Sequence, residues 1–378
     1  MRVPRIMTPG PTMISENVRL ARAQETTNPD LDLQFFEFYR ELCDKLAGII
    51  KTNNEVRVLC GEGILGLEAA CASLTEKGDR VLVLDNGIFG EGFSDFVTMY
   101  GGEPVLFKGD RRNEIDIIEL EAFLQRDHSF KYATIVHCDT PTGVLNDLSK
   151  ICPLLKSFGI LTVVDSVAAM GGEELRVDDW KIDIALGGSQ KCFSTPPGLT
   201  ILSISEEAFR CMEERRTQIP SYYCNLLIWK DYYLKKWFPY TMPISDLMGL
   251  NRAIDNLIED GNYVKRHREI GEAVYKTLEN AGLELYIKQG RAHTVTAFFT
   301  PAGIDSAVLR NLMTDKYNVM IGASLGELSD KILRIGHMGE NARIDKVAYC
   351  LSSLQMALKE LGYKTKVDMA EMFFKNLN

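Results

Sequence analysis

The sequence predicts an α/β protein in which a mostly parallel sheet carries helices on both faces, with a smaller α+β domain following it. Three observations lead there. Up to about residue 190, short and nearly continuous apolar runs alternate with helix-periodic segments, the pattern of strands buried on both faces. That alternation ends at 221–243, a stretch rich in Tyr, Trp and Phe with no clean period. The length of 378 residues exceeds one small core and suits a large domain plus a smaller one.

In chain order, an N-terminal arm over 1–20 contains Thr8-Pro9-Gly10-Pro11, a rigid turn barred from helix and central strand. A large domain over 21–250 opens with a helix at 33–51, where Phe35, Phe36, Tyr39, Leu42, Leu46 and Ile49 recur at helical spacing. Strands are expected at 56–60, 80–85, 104–108, 132–139, 160–165 and 182–188. Helices are expected between them at 64–74, 90–100, 115–125 and 147–158. A long helix then starts near 245 and runs to 278, with a break at Gly261. The small domain, 251–378, is expected to hold strands at 283–288, 294–300, 318–321 and 331–335, and helices at 307–316 and 344–361. The tail 364–378 has only a weak amphipathic pattern.

The composition narrows the function. A net charge of −9 with no basic stripe argues against a nucleic-acid binder. No apolar run approaches a membrane span, and the first residues lack the apolar core of a secretory signal. The nine cysteines contain no Cys-x-x-Cys pair, so they argue for reduced thiols in a cytoplasmic protein and against a metal site.

Three stretches carry chemistry. In Gly187-Gly188-Ser189-Gln190-Lys191, a lysine follows a strand end and a glycine pair, with Pro196-Pro197-Gly198 stiffening the exit. Desolvation at such a place lowers an amine's pKa, as covalent catalysis by lysine requires, although a loop lysine is the plain alternative. Asp165 closes the strand 160–165, where it could equally cap a turn. Gly61-Glu62-Gly63-Ile64-Leu65-Gly66 fits G-x-G-x-x-G between a strand and a helix, with Asp85 ending the next strand. That last motif supports a rival reading, an NAD-dependent dehydrogenase, although Glu62 would set a carboxylate beside a pyrophosphate. On either reading, the helix N-terminus offers free N–H groups to a phosphate. These stretches and His137-Cys138-Asp139-Thr140 all fall at carboxyl ends of parallel strands, where ligands of open sheets bind. A buried acid, a lysine and a phosphate cradle together are what a pyridoxal phosphate site needs.

With those residues in view, the chain resembles the class V, fold-type I aminotransferases, above all the alanine–glyoxylate and serine–pyruvate enzymes. The resemblance runs from Pro9-Gly10-Pro11 to Leu333-Arg334-Ile335-Gly336. It is most specific at Asn86-Gly87-Ile88-Phe89-Gly90, Val164-Asp165-Ser166-Val167-Ala168 and Gly188-Ser189-Gln190-Lys191. Gln190 before the lysine, where related cysteine desulfurases usually have His, points to a transaminase. The resemblance implies the fold-type I architecture, with a mostly parallel seven-stranded sheet, and pyridoxal 5′-phosphate as cofactor. It implies that Lys191 is the Schiff-base lysine and proton shuttle, and Asp165 the partner of the pyridinium nitrogen.

Further positions carry over. Phe89 would stack on the ring, where the family usually has Trp, and Thr140 would contact the ring-oxygen region. Gly61, Glu62, Gly63, Ile64, Val167 and Gln190 would complete the cofactor contacts, while Gly10, Thr140 and Arg334 would meet the substrate. Tyr240 and Thr241 would reach the phosphate of a neighbouring subunit, which implies a homodimer with shared sites. The implied reaction moves an amino group from alanine or serine to glyoxylate or pyruvate, with a 2-aminophosphonate donor as the nearest alternative. Three residues depart from the family pattern: Glu62, Ile64 and Phe89. The expectation for Glu62 is that it turns away from the phosphate and bonds elsewhere.

Overall fold

A computed structural model describes residues 3–377. Its centre is a seven-stranded sheet in the order Glu55–Cys60, Leu199–Ile204, Ile184–Gly188, Leu161–Asp165, Tyr132–Val136, Arg80–Asp85, Glu103–Lys108. Six strands run one way and Leu199–Ile204 runs against them. Tyr132–Val136, Leu161–Asp165 and Ile184–Gly188 are buried at every position, which is why they read as unbroken apolar runs.

The expected strand at 132–139 divides, and its end forms a two-residue ribbon of Cys138–Asp139 with Val144–Leu145. Leu199–Ile204 was not expected, nor was the helix Glu206–Glu213 after it. The strand pairs with Ile184–Gly188 in the register Thr200 to Gly188, so the Lys191 turn links two neighbouring antiparallel strands. The lysine is thereby fixed at both ends of its turn.

Helix Leu33–Ile50 lays Phe36, Tyr39, Leu42 and Leu46 on the sheet. Phe36 stacks on Phe238 at 4.5 Å between centroids, and Trp229 and Tyr232 join the cluster. The aromatic stretch 221–243 is therefore largely core, each such ring pair adding about 0.5–1.5 kcal/mol beyond area burial.

The long helix breaks at Gly261 as expected, into Ile244–Asp260 and Tyr263–Ala281, and Gly261 takes a left-handed φ of 63°. Leu247, Leu250, Ile254 and Leu257 pack into the first core, whereas Ile270, Val274 and Leu278 belong to the second. The two cores thus part at Gly261 and not at residue 250. The second domain has the three-stranded sheet Val295–Phe299, Ile332–Gly336, Gly322–Ala323 under helices Ser306–Tyr317 and Ile344–Glu360. Residues 283–288 form no strand, only an isolated bridge from Leu285 to Phe298. The tail contributes helix Met369–Asn376, which buries Met369 and Phe373.

The N-terminal arm belongs with the small domain. Arg5–Ile6 pairs in parallel with Val319–Met320, and Met7 enters the second core. From there the arm crosses to the lysine turn, where Thr12 N–H donates to the Gln190 carbonyl at 3.1 Å.

Candidate active site

One cavity of about 160 Å3 lies at the carboxyl ends of the parallel strands, lined by Glu62, Phe89, Thr140, Asp165, Gln190 and Lys191 among others. Gly63, Ile64 and Val167 also line it. The structure therefore brings together the lysine, the acid and the glycine-rich turn from separate strands.

Lys191 leaves the turn with its amine donating to the Pro9 carbonyl at 2.7 Å. Burial lowers its pKa, the Arg334 guanidinium lowers it further, and Asp165 opposes both. Gly10 stands against the lysine stem: at its φ of +94° a Cβ would lie 2.4 Å from Lys191 Cδ. Gly10, expected at the substrate, thus makes room for the lysine stem.

Asp165 is fully enclosed at the end of Leu161–Asp165, accepting from Val167 N–H at 2.9 Å. Burial raises its carboxyl to about 6, against the backbone hydrogen bond and the Lys191 charge. Gly63 is obliged to be glycine because a Cβ there would come within 2.7 Å of Val167 Cγ2. The helix can then approach the strand end that carries Asp165.

Glu62 departs from its expectation. It caps helix Gly63–Leu74, accepting from Ile64 N–H at 3.2 Å and from Gln190 Nε2 at 2.9 Å. Its carboxylate does bond elsewhere in the chain, but to groups of the cradle itself. Both are groups that the resemblance sets near the phosphate.

Arg334, on the central strand of the small sheet, donates Nε to the Ala323 carbonyl at 2.6 Å and Nη1 to the Thr140 carbonyl at 3.1 Å. Nη2 has no hydrogen-bond partner among the described residues, leaving one edge of the guanidinium for a carboxylate. Burial lowers this arginine to about 10, with Asp139 opposing.

Asp139 was not singled out from sequence. It accepts from Thr142 Oγ1 at 2.7 Å and Phe89 N–H at 3.3 Å, so it holds the start of the helix that carries Phe89. Burial raises it to about 6. An acid directly before Thr140-Pro141-Thr142-Gly143 at a parallel strand end was the available signal.

Tyr240 and Thr241 fall outside the cavity. Tyr240 stacks on Tyr223 at 4.5 Å, and Thr241 bonds Asp30 at 2.9 Å, both beside a separate surface pocket. His137 is buried with Nδ1 on Ser166 Oγ at 2.9 Å, and His337 is buried against Thr296 Oγ1 at 2.7 Å. Cys192 is buried, and enclosure pushes its thiol well above the ordinary range. Among the described residues no group of three His, Cys, Asp or Glu could hold a metal ion.

The residues fit the ring of pyridoxal phosphate. Lys191 can hold its aldehyde carbon, Asp165 its ring nitrogen and Phe89 a ring face, since all three line the same cavity. At the phosphate end the Gln190 amide and the Ile64 N–H are already engaged by Glu62. The nicotinamide reading of Gly61–Gly66 is corrected on the same ground, because Glu62 fills the helix N-terminus that a pyrophosphate would need.

The family model "Aminotransferase class-V" matches residues 19–342. The chain is 30% identical to the pyridoxamine–pyruvate transaminase of Mesorhizobium japonicum, over 89% of this chain and 87% of that one. It is 29% identical to the alanine–glyoxylate aminotransferase of Drosophila melanogaster, over 97% and 95%. The crystal structure of ureidoglycine–glyoxylate aminotransferase from Bacillus subtilis superimposes with a TM-score of 0.95 at 27% identity, covering 100% of this chain and 98% of that one. A parallel-strand site built on Lys191 and Asp165, and a family match spanning both domains, lead to one conclusion: the chain belongs to the class V aminotransferases, enzymes of the pyridoxal-phosphate fold type I.

Proposed function

We propose that this aminotransferase moves the amino group of alanine or serine to glyoxylate or pyruvate, as a homodimer in the cytoplasm. The observation that carries the reading is the single cavity shared by Lys191, Asp165 and Phe89, with the open edge of Arg334 reserved for a substrate carboxylate. Among the described residues lining that cavity, Lys191 is the only cation. A donor with a second acidic group, such as aspartate, has no partner for it there, which favours a small neutral side chain. The Drosophila alanine–glyoxylate aminotransferase that the chain resembles agrees with that choice.

Bound pyridoxal phosphate supplies the electron sink that makes an amino acid's α-proton removable. The chain supplies the rest. Burial keeps Lys191 closer to the neutral amine, which can take a proton at Nζ and return it. Asp165, largely ionised at neutral pH and buried at its strand end, would hold a proton on the ring nitrogen. Arg334 fixes the substrate carboxylate and with it the direction of the α-proton.

The dimer reading is supported by Tyr222, Tyr223 and Trp237, which are exposed next to Tyr240 and Thr241. Exposed aromatics at this density suit an interface. All nine cysteines are free, in keeping with a reducing compartment.

The test is a panel of alanine, serine, aspartate and 2-aminoethylphosphonate against glyoxylate and pyruvate, run beside sedimentation analysis. Alanine or serine should give the highest kcat/KM. Faster turnover of the aminophosphonate would refute the substrate assignment, and a monomer fully active at low concentration would refute the shared site.

A further inference from the structure

Glu62 is the cavity residue whose chemistry runs against a phosphate. One carboxylate oxygen accepts from Ile64 N–H at 3.2 Å, and the other from Gln190 Nε2 at 2.9 Å. A helix N-terminus and a side-chain amide are donors that a phosphate monoester would use. Here the chain satisfies them with its own negative charge. A phosphate brought into the same cradle meets a like charge at close range and finds the Ile64 N–H and the Gln190 amide already engaged.

The neighbouring Gln190 sharpens the point. It is 6% exposed, and its Oε1 has no hydrogen-bond partner among the described residues. The opposite amide orientation would set Oε1 against the Glu62 carboxylate, so the donor edge must face Glu62. What remains at this end is a buried orphan acceptor beside a carboxylate. Both call for a hydroxyl donor, since an unsatisfied buried acceptor is costly. Ile64 adds only an aliphatic side chain, half-open at the cavity wall.

We propose that the Glu62 carboxylate stands in for the cofactor's phosphate, so that this site takes the B6 vitamers ending in a hydroxymethyl group, pyridoxal and pyridoxamine, as exchangeable ligands. The hydroxymethyl O–H donates to Gln190 Oε1 or to Glu62, while the ring keeps its places at Lys191, Asp165 and Phe89. Pyridoxal phosphate enters only by displacing Glu62 from Ile64 and Gln190. The inference rests on the reading of Lys191 as the ring-holding amine.

The experiment titrates the full-length protein, freed of bound vitamer, with pyridoxal and with pyridoxal phosphate, following the visible band of the lysine-linked ring. Wild type should bind pyridoxal at least as tightly as the phosphate ester. Glu62→Gln retains a cap and removes the charge. It and Glu62→Ala should tighten pyridoxal phosphate on the order of tenfold or more, the scale of regained charge-assisted hydrogen bonds. Inorganic phosphate should raise the Tm of Glu62→Ala and leave wild type unmoved. Wild-type preference for the phosphate ester by tenfold or more, unchanged in both variants, would overturn the proposal. If neither ligand gives a band that Lys191→Ala abolishes, the reading of Lys191 itself fails, and the proposal with it.

Discussion

The Lys191 amine donates to the carbonyl of Pro9 at 2.7 Å, across 182 positions of sequence. Lys191 is therefore held by the N-terminal arm as well as by its own turn. A ligand that takes over the amine must release this hydrogen bond, and the arm residues determine where the freed side chain lies.

Gly10→Ala should damage the site from outside the chemistry. The new methyl would fall 2.4 Å from Lys191 Cδ, on a backbone at φ +94° that side chains rarely adopt. A loss of about 1–3 kcal/mol in stability is expected, with at least tenfold lower kcat. Unchanged kcat would show that the arm does not position the lysine.

Lys191→Ala should abolish the visible band and reduce turnover by on the order of a thousandfold or more, because no other amine lines the cavity among the described residues. Spectra and single-turnover kinetics read both effects. Retained turnover would remove Lys191 from the mechanism.

Asp165→Asn separates chemistry from stability. Its carboxyl sits at about 6 in the fold, above the ordinary 3.8, because burial disfavours the charge. The folded chain therefore holds this proton more tightly than the unfolded chain does. Stability of the ligand-free protein is greatest from this group below about pH 4 and declines as pH rises through 6. The variant should lack that decline and gain on the order of 3 kcal/mol at pH 7, at about 1.4 kcal/mol per pH unit. Its kcat should nonetheless fall at least about a hundredfold, since the ring nitrogen loses its anionic partner. Urea titrations of both proteins across pH 4–8 check the sign; a variant less stable at pH 7 would contradict it.

Arg334→Lys should raise KM for the 2-oxo acid by roughly 10- to 100-fold while the visible band persists. A point charge cannot reproduce the guanidinium, which spans two backbone carbonyls and still presents a free edge. Unaltered KM for both substrates would place the carboxylate site elsewhere.

Much of this architecture was legible in sequence because parallel strands buried on both faces need continuous apolar runs, as Val163-Val164-Asp165 and its neighbours show. Strand Leu199–Ile204 escaped because the proline pair before it reads as an exit from the fold, when it marks a reversal into the next strand. Lys191 and Asp165 were readable from their positions at strand ends. The Glu62 anomaly was visible as an odd residue, but its bond to Gln190 spans 128 positions and has no local signature. Gly10 was expected at the substrate and proved to make space for Lys191, a contact that no periodicity encodes. Tyr240 and Thr241, expected to reach the phosphate of a neighbouring subunit, lie outside the cavity of their own chain.

The arm that closes over the lysine draws its partners from the far end of the chain. Arg5 and Ile6 need Val319 and Met320, the Met7 carbonyl needs Gly336, and the Met13 N–H needs Asn341. During synthesis, residues 5–13 thus wait for residues 319–341. A nascent chain that has already made its lysine turn still lacks the Pro9 lid in its final place. The reactive amine acquires its full enclosure only once the second domain has folded, and a half-made chain carries no finished site.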